Sequence, residues 1–126
     1  MRPVLTPDAP APAGHYSQAV VHEGTAYVSG ILPIAPDGTK VQGPLEEQLA
    51  RVLANLDAVL RAAGSSRERV LRCTVYVADV ALWPRVNAAY AAFFGAHKPA
   101  RTVVPCSGLH YGFLVELDAI AAVDES

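Results

Sequence analysis

What this chain has little of narrows it first. Sulfur is sparse, with two cysteines, Cys73 and Cys106, and one methionine in 126 residues. The cysteines form no CxxC pair and share no Cys/His spacing, so no zinc-site pattern is present. Cys73 lies inside an apolar run and reads as a buried thiol. Charged residues make up 17%, the formal net charge is −2, and no two Lys or Arg residues are adjacent. Proteins that grip nucleic acid displace counterions from phosphate with a basic patch, so these counts argue against nucleic acid as the main partner. No apolar stretch approaches the roughly 18 residues of a membrane-spanning helix. The first ten residues hold no hydrophobic core of signal-peptide length. The expectation is a cytoplasmic protein with reduced thiols and no membrane partner.

What is present is apolar and ordered into patterns. Hydrophobic residues make up 52% of the chain, enough for a real core in one domain over residues 1–126. A core of this size stays modest, and association with further copies would add burial. Pro3, Pro7, Pro10 and Pro12 mark residues 1–14 as an extended arm rather than a regular element. Two β-prone runs, Ser17 to His22 and Thr25 to Gly30, flank a two-residue turn at Glu23-Gly24. Pro36-Asp37-Gly38 supplies the dihedrals of a second turn.

The clearest element is a helix from Pro44 to Ala63. Leu45, Leu49, Val52, Leu53, Leu56, Val59 and Leu60 recur at spacings of three and four, forming one apolar stripe. Pro44 suits the first helical position, Glu46 and Glu47 the positive N-terminal end, and Gly64 the stop. Between Val70 and Val77 the period becomes two, with Leu71, Cys73, Val75 and Val77 opposite Arg72, Thr74 and Tyr76. A second helix, Pro84 to Phe94, presents Val86, Tyr90 and Phe93 on one face and stops at Gly95. Strands near Arg101–Cys106 and Phe113–Val123 complete the order β-β-α-β-α-β-β. This is an α+β layer, a mixed β-sheet with two helices on one face. The other sheet face would be open, and such a face is usually satisfied by a partner subunit.

Two charges stand out against this background. Arg101 opens an otherwise apolar strand, and its planar fork suits a carboxylate held by two parallel hydrogen bonds. The pattern equally fits a surface arginine at a strand end. Glu116 shares a strand face with Leu114, Asp118 and Ile120. Burial among aliphatic neighbours disfavours a charged carboxylate and raises its pKa toward a catalytic range. A solvated acid on an exposed face fits the pattern as well.

Five segments, in order along almost the whole chain, favour the functional alternative for both charges by resemblance. Ala13-Gly14-His15-Tyr16-Ser17-Gln18-Ala19, Val28-Ser29-Gly30-Ile31-Leu32-Pro33, Val86-Asn87-Ala88-Ala89-Tyr90-Ala91-Ala92-Phe93-Phe94, Pro99-Ala100-Arg101 and Val115-Glu116-Leu117-Asp118-Ala119-Ile120-Ala121 resemble the RidA/YjgF/endoribonuclease L-PSP (Rid) family. The resemblance implies a chorismate-mutase-like fold, a homotrimer with clefts between subunits, and no cofactor or metal. It implies hydrolysis of reactive 2-imino acids, derived from enamines, to 2-keto acids and ammonia. Arg101 would bind the substrate carboxylate, and Glu116 would position or activate water. Tyr16 would line and close the cleft, Ser29, Gly30, Ile31, Thr102 and Val103 would contact substrate, and Asn87 would support the site.

Several positions depart from the family pattern. Thr102 and Val103 follow the arginine in place of the usual small residue and cysteine, and Ile31 replaces a polar glutamine. His15 stands before the tyrosine, and His110-Tyr111-Gly112 replaces a Leu-Pro-charged loop. These changes make the cleft more apolar and bring an imidazole or a phenol toward its rim, pointing to a larger or more apolar substrate. Taken singly, His110 reads as a solvated loop residue, Cys106 as structural, and Trp83 with Phe93-Phe94 as packing. The alternatives to an imine deaminase are a non-catalytic trimer that binds a carboxylate metabolite, and an endoribonuclease, which the absence of a basic stripe opposes.

Overall fold

The hairpin at Glu23-Gly24 forms as the sequence pattern implies. Both turn residues take positive φ, 49° and 76°, the geometry that matches the right-handed twist of paired strands. The structure, a computed structural model, describes residues 1–124. The turn joins β2 (Ala19–His22) to β3 (Thr25–Ile31). A helix, α1 (Leu45–Ala63), then leads to β4 (Val70–Val77). After α2 (Trp83–Phe94) come β5 (Ala100–Pro105) and β6 (Val115–Ala122). Together with β1 (Arg2–Val4) the strands make one mixed sheet in the order β1-β2-β3-β6-β4-β5, parallel only between β4 and β5.

The arm is the first departure from the sequence reading. Residues 2–4 form β1, antiparallel to β2 in the register Arg2↔Val21, so the element order gains a strand at its start. Pro3 is tolerated because an edge strand does not need every N–H, and Val4 is buried beneath it. Pro44 is the second. It caps α1 in extended conformation with ψ 165°, and its carbonyl accepts from Glu47 and Gln48. The first helical residue is therefore Leu45. Gly64 closes the helix at φ 85°, a conformation that would strain any residue with a Cβ.

A register shift between Val70 and Arg72 corrects the β4 pattern. The bulge turns Val70 into the core and leaves Leu71 52% exposed, while Cys73, Val75 and Val77 stay inward. On α2 the inward residues are Val86, Tyr90 and Phe94, at i+4 steps, rather than Phe93. Phe93 is partly buried and stacks against the Arg67 guanidinium at 4.0 Å. Both helices cover one sheet face, where Val115, Leu117, Ala119 and Ala121 of β6 meet the α1 stripe. The opposite face carries Tyr27, Thr74, Tyr76, Thr102 and Ile120, and among the described residues no helix covers it.

Candidate functional site

The residues singled out in the sequence separate into two clusters. One lines a cavity of about 690 Å³ at the end of β3, bounded by the arm, α1 and the loop before β6. Tyr16, Ser29, Gly30, Ile31 and Glu116 all line it. The other cluster lies beside α2, where Arg101 Nη1 donates to Asn87 Oδ1 at 3.1 Å.

Register explains the separation. Arg101 pairs with Cys73 and Val103 with Val75, so both point to the helix-covered face. Glu116 pairs with Tyr76, whose side chain points the opposite way from Val75 and Val77. Arg101 and Glu116 thus project from opposite faces of the sheet, two strands apart, and one chain does not bring them to one small molecule. Thr102 also leaves Arg101, since it faces the open side and accepts from Arg72 Nη2 at 2.6 Å.

Within the cavity Glu116 is half-buried. Desolvation raises its pKa, His110 opposes the rise through its charge, and Asp118 adds to it. Its carboxylate lies against Gly30, where a Cβ would collide with Glu116 Oε2. A side chain at this position would push the carboxylate out of the place it now holds, so the glycine lets Glu116 lie close against β3. Ser29 lines the cavity and donates its hydroxyl to Ser17 O at 2.6 Å. Tyr16 is 50% exposed, and its hydroxyl accepts from Ala13 N at 3.3 Å. Ile31 belongs to both places, buried in the core and lining the cavity.

His110 is exposed, as a loop imidazole should be, yet it stands on the cavity rim with Tyr111. Tyr111 takes a positive φ of 58°, packs on Phe113 at 5.7 Å, and has Lys40 Nζ over its ring at 4.6 Å. The imidazole and phenol expected at the rim are therefore both there, and the positive φ of Tyr111 and Gly112 is what the sequence change did not show.

Pattern reasoning also missed the groups that build the cavity wall. Gln18 is buried; its side-chain nitrogen donates to the carbonyls of Thr6, Ala9 and Pro10, and its oxygen accepts from Thr6 N at 2.6 Å. Asn55, on the buried side of α1, donates to Ile34 O at 2.7 Å. The available signal was a polar residue set within an apolar pattern. Burial pushes the Cys73 thiol up to about 11, so it stays protonated and is no nucleophile. Cys106 is half-buried, its thiol directed to Val104 O. Among the described residues no group of three or more His, Cys, Asp or Glu is placed to hold a metal ion.

The family model for Endoribonuclease L-PSP matches residues 6–123. The chain belongs to this family. Mitochondrial protein MMF1 of Saccharomyces cerevisiae is 36% identical over 121 residues, covering 96% of this chain and 83% of MMF1. RidA of an Antarctic Psychrobacter superposes with a TM-score of 0.94 at 31% identity, over 98% of this chain and 100% of RidA. TdcF of E. coli, solved with bound serine, gives 0.93 at 28% identity, over 98% and 100%. The L-PSP fold expected from the motifs is therefore the fold observed, β1 being the one strand that the sequence reading left out. No described helix is long and apolar enough to cross a membrane.

Proposed function

We propose that this L-PSP protein hydrolyses reactive 2-imino acids to 2-keto acids and ammonia, without a cofactor, at sites shared between copies of a cytoplasmic homotrimer. The observation that carries the reading is Glu116, a half-buried carboxyl with raised pKa inside a mostly apolar cavity. A site that only bound a carboxylate would gain nothing from an acid there. Arg101 has no carboxylate within ion-pair distance among the described residues, so its charge is available to a ligand. Because the two face opposite ways, a subunit contributing Arg101 and Asn87 would complete the cavity of its neighbour.

The chemistry asks little more than orientation. A protonated imine is already electrophilic at C2. Arg101 holds the carboxylate in a bidentate grip. Glu116 takes a proton as water adds to C2, and the carbinolamine forms. The same carboxyl returns that proton to nitrogen. As the C–N bond breaks, ammonia leaves and the C2 hydroxyl gives its proton back to the Glu116 carboxylate, leaving the 2-keto acid. That last proton passes on to the ammonia or to solvent. The cavity falls within the size range of small-molecule sites, and Ile31, Ile34 and Val59 make much of its lining aliphatic. Imines with longer or aromatic side chains fit this lining.

A carboxylate-binding role without catalysis is the second reading, favoured by the serine bound to the related TdcF. Ribonuclease activity, which the family's name carries, fits poorly with a net charge of −2. An amino-acid oxidase generating the imine in situ, with semicarbazide as competing trap, separates these. The protein should compete with the trap, and Arg101→Ala should lose roughly 10- to 100-fold in kcat/KM through lost charge-assisted hydrogen bonds. No competition across alanine-, leucine- and phenylalanine-derived imines would leave the binder ahead.

A further inference from the structure

We propose that Trp83 and Tyr90 form an aromatic clamp that pre-sets the Arg101 guanidinium, with Trp83 as a positioning residue for carboxylate binding. The inference rests on the reading of Arg101 as carboxylate anchor and extends it to residues read from sequence as packing. Arg101 Cζ lies 4.5 Å from the Trp83 ring centroid and 4.8 Å from that of Tyr90. Asn87 Oδ1 takes one of its N–H groups at 3.1 Å. These three partners stand at steps of four and three along α2, so one helix face presents them together.

The arrangement is suited to a site more than to a core. Trp83 is 37% exposed, wetter than a packing tryptophan needs to be. A flexible arginine loses rotamer freedom when it grips a ligand, and stacking spends that entropy during folding instead. Neither ring nor amide neutralises the cation, and a guanidinium has five donors, of which Asn87 takes one. The fork is held in place while donors remain for an incoming carboxylate. Tyr90 is buried and supports the core as well, so Trp83 is the member that can be tested cleanly.

Trp83 is the chain's one tryptophan, which makes its emission a direct report on the clamp. Titrating the full-length protein with pyruvate or 2-oxobutanoate should shift that emission, and Arg101→Ala should remove the response. By calorimetry, Trp83→Ala should weaken pyruvate binding roughly 5- to 30-fold, the range of a cation–π contact. Trp83→Phe should recover most of the affinity. In imine hydrolysis, Trp83→Ala should raise KM and leave kcat near wild type. Saturable pyruvate binding with unchanged emission, or wild-type affinity in Trp83→Ala, overturns the clamp. Keto-acid binding with a Trp83 response but no hydrolysis would instead sink the proposed reaction and leave the clamp standing. Hydrolysis with wild-type KM in Trp83→Ala does the reverse.

Discussion

At the scale of the residue, Glu116 sets a conflict between stability and function. Burial favours its neutral form, so ionisation costs the folded state more than the unfolded chain. The stability associated with this carboxyl is present below the ordinary carboxylate pKa and is lost as pH rises through the raised folded value. Glu116→Gln should therefore melt at or above the wild-type temperature at neutral pH, with the gap closing in acid. The same variant should lose roughly 10²- to 10⁴-fold in kcat, the usual share of a general base. In the wild type, kcat should fall as pH drops through the raised value. A variant less stable at pH 7 than at pH 4, relative to wild type, would contradict the burial argument. That Glu116 alternates with aliphatic neighbours was legible in the sequence. Its contact with Gly30 was not, because a glycine in a strand pattern does not say which side chain fills its missing Cβ.

Among the elements, the arm depends most on one residue. Gln18, immediately before β2, satisfies the backbone of Thr6, Ala9 and Pro10 with a single amide. Gln18→Ala leaves those groups unpaired and should cost about 1–3 kcal/mol in urea unfolding. It should also expose the arm to proteolysis between β1 and β2. An unchanged urea midpoint would mean that water replaces the amide without loss. Helix α1 was the most readable element, since seven apolar residues at helical spacing leave only one face to bury. β4 was less so. A period-two pattern assigned Leu71 to the core, and the bulge at its start, decided by pairing with β6, placed Val70 there instead. Phe93 and Phe94 posed the same problem on α2, where adjacent aromatic residues point nearly 100° apart and the crossing against the sheet selects one.

At the scale of the whole molecule, the uncovered sheet face argues for assembly. Tyr27 and Ile120 are cross-strand partners on that face, and Tyr27 is 50% exposed. Burial of this surface by other copies would remove apolar area from water that the isolated chain leaves wet. Light scattering should give a mass near three chains. Ile120→Asp should dissociate it and abolish hydrolysis while circular dichroism stays native. An active monomer would disprove a site built between subunits.

The sequence by itself determined both helices, every strand but β1, and the family, because apolar spacing and short ordered motifs are local properties of the chain. It also marked Arg101 and Glu116 as charges in unusual company. Only the tertiary structure decided that they look away from each other. That follows from strand register, where a single step of pairing reverses every side chain, and from a sheet order that sets β4 between β5 and β6. The gathering of Trp83, Asn87 and Tyr90 around Arg101 was likewise settled by how α2 crosses the sheet.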